Sequence, residues 1–419
     1  MSKESKLRTS DLPGDEESER TSRRTFLARS LAAGGGLMAS GAAGCAKEEP
    51  TPTVEPEEPA LPPGKNPDDF VVHSENPLVL ETRRSAFGAS AIVPASLLYV
   101  RNNLPVPDSA IVEDPDVWSL AVEGVQNPRT VTVGELKTLG LETVATVLQC
   151  AGNGRRFFQH EMSGSTWGVG AAGCVLWTGV PVRTVAEALG GVADGMQFVT
   201  GTGGEPLPDV ADRQERVVER SVPLAKGLED ALLAWEMNGA PLPLAHGGPL
   251  RLIVPGYYGC NQIKYLKRLA FTPEESDAAF MRTGYRLRPI GEPGAPGQPT
   301  MWSMDVASWI NHPGGDEPIA PGPVQISGVA FGGTGGIRRV QVSLDGGETW
   351  QRTALVGPDL GPYAWRPFVL PVTLESGTYT LASVAVDRAG NVQAEARVEN
   401  ERGYGNTSWR DHAVRITVS

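Results

Sequence analysis

Several stretches of this chain carry the alternation of apolar and polar side chains that marks β-strands. Thr143-Val144-Ala145-Thr146-Val147-Leu148 is dense in β-branched and apolar residues and predicts a buried strand. Val324-Gln325-Ile326-Ser327-Gly328-Val329-Ala330, Arg339-Val340-Gln341-Val342-Ser343-Leu344 and Tyr379-Thr380-Leu381-Ala382-Ser383-Val384-Ala385-Val386 alternate with the strand period, and Asp345-Gly346-Gly347 supplies a tight turn after the second of them. Helical signals sit at Val131-Thr132-Val133-Gly134-Glu135-Leu136, which reads as a helix start, and at Val180 to Leu189, which reads as a helix opening with Pro181. From about Asn66 to Pro289 short strands mix with helical stretches and Gly/Pro turns, an α+β pattern. Past Pro293 the texture becomes all-β, of the kind expected for an immunoglobulin-like sandwich. No repeat of 20 to 50 residues runs through the chain.

A length of 419 residues leaves room for two domains at roughly 100–200 residues each. The 37 Lys plus Arg against 49 Asp plus Glu give a formal charge of −12, which argues against a nucleic-acid partner. No apolar stretch after residue 50 approaches the ~20 residues that span a bilayer. The cysteines, Cys45, Cys150, Cys174 and Cys260, show no CxxC, no zinc spacing and no haem-attachment CxxCH. The segment ahead of the fold is too short and too acidic for a b-type cytochrome, so no haem is expected. Cys174 and Cys260 read as buried free thiols.

Residues 1–45 read as an address rather than as fold. Ser22-Arg23-Arg24-Thr25-Phe26-Leu27, followed by the Gly-rich, weakly apolar Leu31 to Met38, looks like a twin-arginine signal, although the acidic cluster from Asp15 to Glu19 is atypical of one. That route exports proteins already folded around a cofactor and places the mature chain in the periplasm or on the outer face of the cell membrane. Ala42-Ala43-Gly44-Cys45 resembles a lipobox without its usual aliphatic residue, so Cys45 is either a lipid-anchor site or marks ordinary cleavage nearby. Residues 46–66, proline-rich among glutamates, read as an extended tether. The remainder divides into a catalytic domain over 67–290 and a sandwich over 291–419.

The chemistry centres on Leu148-Gln149-Cys150-Ala151-Gly152-Asn153-Gly154-Arg155-Arg156. Cys150 falls where a buried strand gives way to a glycine-rich, doubly cationic turn, a setting for a metal-binding thiolate or nucleophile; the alternative for the thiol alone is an inert core cysteine. This run resembles the molybdenum-binding core of the sulfite oxidase family, and the likeness extends over nearly the whole chain after the tether. Cys150 then takes the role of molybdenum ligand. Tyr99-Val100-Arg101-Asn102-Asn103 resembles the family's run against the pterin, with Arg101 aimed at the substrate oxyanion and Asn103 where many members carry His. Arg155 takes the place of a second anion-binding arginine, Trp167 the aromatic wall of the substrate pocket, Tyr285 the active-site tyrosine, and Arg402 a further arginine sent in from the C-terminal turn. The resemblance assigns Asp212, His246, Arg251, Gln262, Ile263 and Lys264 to the molybdopterin and its phosphate.

The likeness implies a molybdenum-cofactor oxidoreductase that oxidises sulfite to sulfate by oxygen-atom transfer. It also implies that electrons pass to an external acceptor such as a c-type cytochrome, and that the sandwich forms a homodimer. Paired guanidiniums suit a sulfite-sized dianion, because each offers a planar fork of donors. Ser163, Gly164 and Ser165 stand where vertebrate-type members carry a lysine, which leaves a sulfane-sulfur dehydrogenase or a sulfoxide oxidoreductase open as alternatives. A reading of another class is a non-catalytic cell-surface binding protein whose pocket has lapsed.

Overall fold

The computed structural model describes residues 61–209 and 212–419. The twin-arginine run, Cys45 and the tether up to residue 60 lie outside the described residues.

The buried strand expected around Thr143 is Glu142–Gln149. It pairs along its whole length with Ala172–Pro181, which pairs in turn with Leu232–Met237. Arg251–Ile253 adds to the far side of Leu232–Met237. A second sheet orders Arg129–Thr132, Ser119–Glu123, Leu266–Thr272, Phe198–Gly203 and Glu219–Pro223, with Leu266–Thr272 parallel to Ser119–Glu123. Apolar side chains of both sheets, among them Leu120, Val180, Leu233, Leu252 and Leu269, pack into one core.

The helix expected near Val131 is Val133–Lys137. Thr132 accepts from the Glu135 backbone N–H at 3.1 Å while the Glu135 carboxylate accepts from the Thr132 N–H at 2.7 Å, a reciprocal cap. The second helix is Val182–Ala188; Pro181 ends the preceding strand and sits at the N-cap rather than inside the helix.

The C-terminal region is a β-sandwich. One sheet contains Val306–His312, Gly322–Gly332, Arg366–Leu374 and Ala354–Leu355, and the other Gln351–Arg352, Ile337–Ser343, Gly377–Asp387 and Val414–Val418. Inward positions of both, such as Ile326, Val340, Phe368, Leu381 and Ile416, fill its core. Gly346 and Gly347, at φ 76° and 107°, make the predicted turn between Ile337–Ser343 and Gln351–Arg352.

The two regions are not packed as separate globes. One continuous cluster joins Val147, Trp167 and Trp177 of the first region to Trp309, Phe331 and Trp365 of the sandwich. Truncating any of these tryptophans would cost on the order of 3–5 kcal/mol, so this shared core fixes the sandwich against the strand that leads to Cys150. The end of the expected tether is also docked rather than extended. Lys65 Nζ donates to the Ala95 and Leu98 carbonyls at 2.9 and 2.6 Å, and Leu61 packs against Phe70, Leu80 and Val100.

Candidate active site

Cys150 follows the strand Glu142–Gln149 at its C-terminal end, where the chain turns sharply. Its backbone N–H donates to Ala171 O at 2.9 Å, and its carbonyl accepts from the Asn153 N–H at 3.0 Å. Gly154 and Arg156 donate to Gly168 and Trp167, so the turn is stitched to residues 167–171 on one side. On the other, the sandwich holds it: Gly405 N–H donates to Ala151 O at 2.9 Å and Asn406 Nδ2 to Gly154 O at 3.0 Å.

Cys150 lines both halves of a cleft. The inner half is walled by Tyr99, Asn102, His246, Arg251, Gln262 and Lys264. Lys264 Nζ donates to Asn102 Oδ1 at 2.8 Å and to Ala245 O at 2.7 Å, which fixes the ammonium beneath the cavity floor. Arg251 donates to His246 O at 2.8 Å and to Gln262 O at 3.3 Å. Burial holds the Lys264 ammonium and the His246 imidazole well below their ordinary ranges, and the neighbouring cations push the same way. Burial also brings Arg251 down to about 10. Tyr99 is pushed well up by burial, so its phenol stays a donor.

The carboxylate that faces these cations is Glu205, which sequence reasoning missed. Burial pushes its carboxyl up to about 7 despite the pull of Lys264 and Arg251, and its Oε2 has no hydrogen-bond partner among the described residues. Asp212, the acid expected here, lies outside both halves of the cleft. It is exposed, and its side chain accepts from the Gln214 N–H at 2.9 Å, capping a short 3₁₀ turn. Val100 is likewise turned away, packed with Phe70 and Leu80. Ile263 and Asn103 do face the cavity. Cys260, expected as a buried core thiol, is half-buried and also lines the inner wall, with its thiol pushed up to about 12 by burial. Cys174 is the buried free thiol expected of it.

The outer half has a volume of about 240 Å³ and is walled by Arg101, Arg155, Trp167, Tyr285, Arg402 and Tyr404. Arg155 is 7% exposed and runs through a channel of glycines. A Cβ on Gly152 or Gly164 would fall 2.4 or 2.8 Å from its guanidinium, and one on Gly403 would fall 2.9 Å from its Cγ. Its Nε donates to Arg402 O at 2.9 Å and one Nη to Ser165 O at 2.8 Å. Arg101 donates to the Asn102 carbonyl. Trp167 Nε1 and Arg402 Nε are buried donors without a partner among the described residues. An unmade buried hydrogen bond costs about 1–3 kcal/mol, and both of these donors belong to residues of the cavity wall. Tyr285 sits at φ 51°, a backbone region that non-glycine residues seldom occupy, and its phenol is pushed above its ordinary range by burial.

The inner half gathers three buried basic side chains around one carboxyl, which is costly unless an anion joins them. Among the described residues no three His, Cys, Asp or Glu side chains cluster as a metal site. Cys150 is the one thiol that lines both halves of the cleft. That donor set fits a molybdenum cofactor, whose phosphate and pterin match the cations, Tyr99, and the open Gln262 Oε1.

Comparison with known proteins agrees with this geometry. Residues 103–280 match the model of the oxidoreductase molybdopterin binding domain, and residues 298–419 match that of the Mo-co oxidoreductase dimerisation domain. The chain is 32% identical to mitochondrial sulfite oxidase of Homo sapiens, over 89% of this chain and 70% of that one. It is 33% identical to sulfite oxidase of Arabidopsis thaliana, over 86% of this chain and 97% of that one. The crystal structure of the sulfane dehydrogenase SoxCD from Paracoccus pantotrophus superposes with a TM-score of 0.67 at 26% identity, covering 82% of this chain and 87% of that one. This chain belongs to the sulfite oxidase family and is an oxidoreductase of the molybdenum-cofactor type.

Proposed function

We propose that this member of the sulfite oxidase family oxidises sulfite to sulfate in the outer half of the cleft and passes the electrons to an external acceptor. The observation that carries the reading is the convergence of Arg101, Arg155 and Arg402 on one small cavity beside Cys150. Three guanidiniums, with the Arg402 Nε donor buried and unpartnered among the described residues, match a compact dianion.

The molybdenum cofactor, when bound, supplies the oxygen-atom transfer and accepts the electrons. Cys150 would hold the metal through its sulfur. Lys264 and Arg251 would neutralise the phosphate, with His246, Tyr99 and Gln262 supplying hydrogen bonds to the cofactor. Arg155, pinned by Arg402 O and Ser165 O, holds one face of the substrate without rearranging, and Arg101 and Arg402 complete the neutralisation. Trp167 closes the wall and offers its free Nε1–H to an oxyanion. Tyr285 keeps its proton at the phenol oxygen in the wall it shares with Cys150, from where it would donate to a substrate oxygen.

The address residues support a twin-arginine export route and a location in the periplasm or on the outer face of the cell membrane, with Cys45 as lipid anchor or cleavage landmark. Outside the cytoplasm a small c-type cytochrome is a fitting acceptor, and the dimerisation domain supports a homodimer. The likeness to the sulfane dehydrogenase SoxCD favours one second reading, a sulfane-sulfur substrate, and Ser163, Gly164 and Ser165, where vertebrate-type members carry a lysine, leave room for one bound to a carrier.

The test is sulfite-dependent reduction of ferricyanide by the purified mature protein, with the rate expressed per bound molybdenum atom. Fast, saturable turnover is expected. Near-stoichiometric molybdenum without sulfite turnover would transfer the assignment to the carrier-bound sulfur substrate, and absence of bound molybdenum would overturn the cofactor site.

A further inference from the structure

Tyr404 comes from the sandwich, yet its ring stands in the wall of the outer cavity and is 4% exposed. Gly403 and Gly405 on either side have φ 59° and 68°, a left-handed pair that turns the backbone sharply around it. Asn400, itself buried, clamps the turn from within: its Oδ1 accepts from the Tyr404 N–H at 3.0 Å, and its Nδ2 donates to Tyr404 O at 2.9 Å. The ring so placed meets three of the side chains that the proposed reaction uses, Tyr285, Arg155 and Arg402. It stacks on Tyr285 with centroids 5.3 Å apart and planes 15° apart. The Arg155 guanidinium carbon lies 5.4 Å from its centroid and that of Arg402 5.8 Å.

We infer that Tyr404 is a positioning residue: its aromatic face holds the Arg155 and Arg402 guanidiniums in the wall of the outer cavity and keeps Tyr285 in its left-handed conformation. The physical reasons are separate for the two tasks. An aromatic face attracts a guanidinium without consuming its N–H donors, so the ring adds to the hold on Arg155, whose Nε and one Nη are taken by Arg402 O and Ser165 O, and leaves the remaining donors of both arginines free for the substrate. A carbonyl or carboxylate partner in the same place would fix them and occupy those donors. Tyr285 bears a conformation that persists only where the surroundings over-determine it, and here Phe280 at 5.0 Å on one contact and Tyr404 on another supply that packing. The sandwich thereby contributes to substrate binding through a ring rather than only through Arg402.

This inference rests on the sulfite reading, and the experiment separates the two. The loaded holoenzyme is compared as wild type, Tyr404→Phe, Tyr404→Leu and Tyr404→Met. Four quantities are read: KM for sulfite, kcat, the dissociation constant for sulfate, and the melting temperature, with molybdenum content as a check. Tyr404→Phe keeps the ring and should stay within about twofold of wild type on both anion constants. Tyr404→Leu should raise KM and the sulfate constant in parallel, on the order of tenfold, with a smaller loss in kcat. Tyr404→Met, which fills irregular space with a flexible side chain, gives the same readout if the leucine variant does not fold. A merely structural role would lower melting temperature and molybdenum content without a parallel change in the two anion constants. Ringless variants with wild-type anion constants, or a phenylalanine variant as impaired as the leucine one, overturn the inference alone. A loaded wild type that neither turns over sulfite nor binds sulfate overturns the inference together with the reading beneath it.

Discussion

The inner and outer halves of the cleft are both lined by basic side chains and hold them by different means. In the inner half, Lys264 and Arg251 give donors to Asn102, Ala245, His246 and Gln262, all from the α+β region itself. The charge is fixed in place as a permanent cradle. In the outer half, Arg402 Nε and Trp167 Nε1 are left without partners among the described residues; Arg155 is held by the Arg402 and Ser165 carbonyls, and both arginines lie against the Tyr404 ring. Committed donors suit a resident cofactor, whereas open donors suit a ligand that must arrive and leave. The outer half also depends on a second region of the chain, so its geometry is only as good as the packing between the strand ending at Gln149 and the sandwich.

The largest effect is expected at the one residue shared by both halves that offers a soft donor. Cys150→Ser replaces a sulfur ligand by a hydroxyl and should reduce sulfite turnover by at least about a hundredfold, with melting temperature little changed. Turnover close to wild type, measured by the same acceptor assay, would remove Cys150 from the metal. A smaller effect is expected at His412, which packs against Phe157 beside Arg155 and against Trp309 of the sandwich. Burial lowers its imidazole from 6.5 to about 4, with Arg84 adding to the shift. The unfolded chain therefore takes up a proton below pH 6.5 that the folded chain refuses. The stability held above that pH should be lost as pH falls from about 6.5 toward 4, by on the order of 3 kcal/mol. Denaturant titrations at pH 7 and pH 4.5 on wild type and His412→Phe check this; the variant should show a shallower pH dependence, and an equal slope would exclude His412 as its source.

The contrast between the halves also explains what could be read from the sequence. Cys150, His246, Arg251 and Lys264 sit in contiguous runs that carry the family resemblance, so a local match picks them out although partners such as Asn102 and Ala171 are distant in the chain. The strand before Cys150 and the alternating strands of the sandwich were visible for the same reason, since period and turn chemistry are local properties. Glu205 was missed because it follows the glycine-rich strand Phe198–Gly203 with no motif around it, and Asp212 was chosen in its stead although its side chain serves its own turn. Cys260 was read as core because nothing local tells a cavity thiol from a buried one. The docking of residues 61–66 depends on carbonyls about thirty residues away, and Tyr404 meets Tyr285 and Arg155 only through the fold.

The most direct test of this division is a paired measurement of bound molybdenum per chain and KM for sulfite in Lys264→Met and Arg155→Lys. Lys264→Met should weaken retention of molybdenum by about ten- to a hundredfold while the molecules that remain loaded keep a wild-type KM. Arg155→Lys should keep full molybdenum and lower kcat/KM by about ten- to a hundredfold through a raised KM, because lysine cannot reproduce the guanidinium's paired donors. Loss of molybdenum in the Arg155 variant, or a raised KM in the loaded Lys264 variant, would contradict the assignment of the two halves to cofactor and substrate.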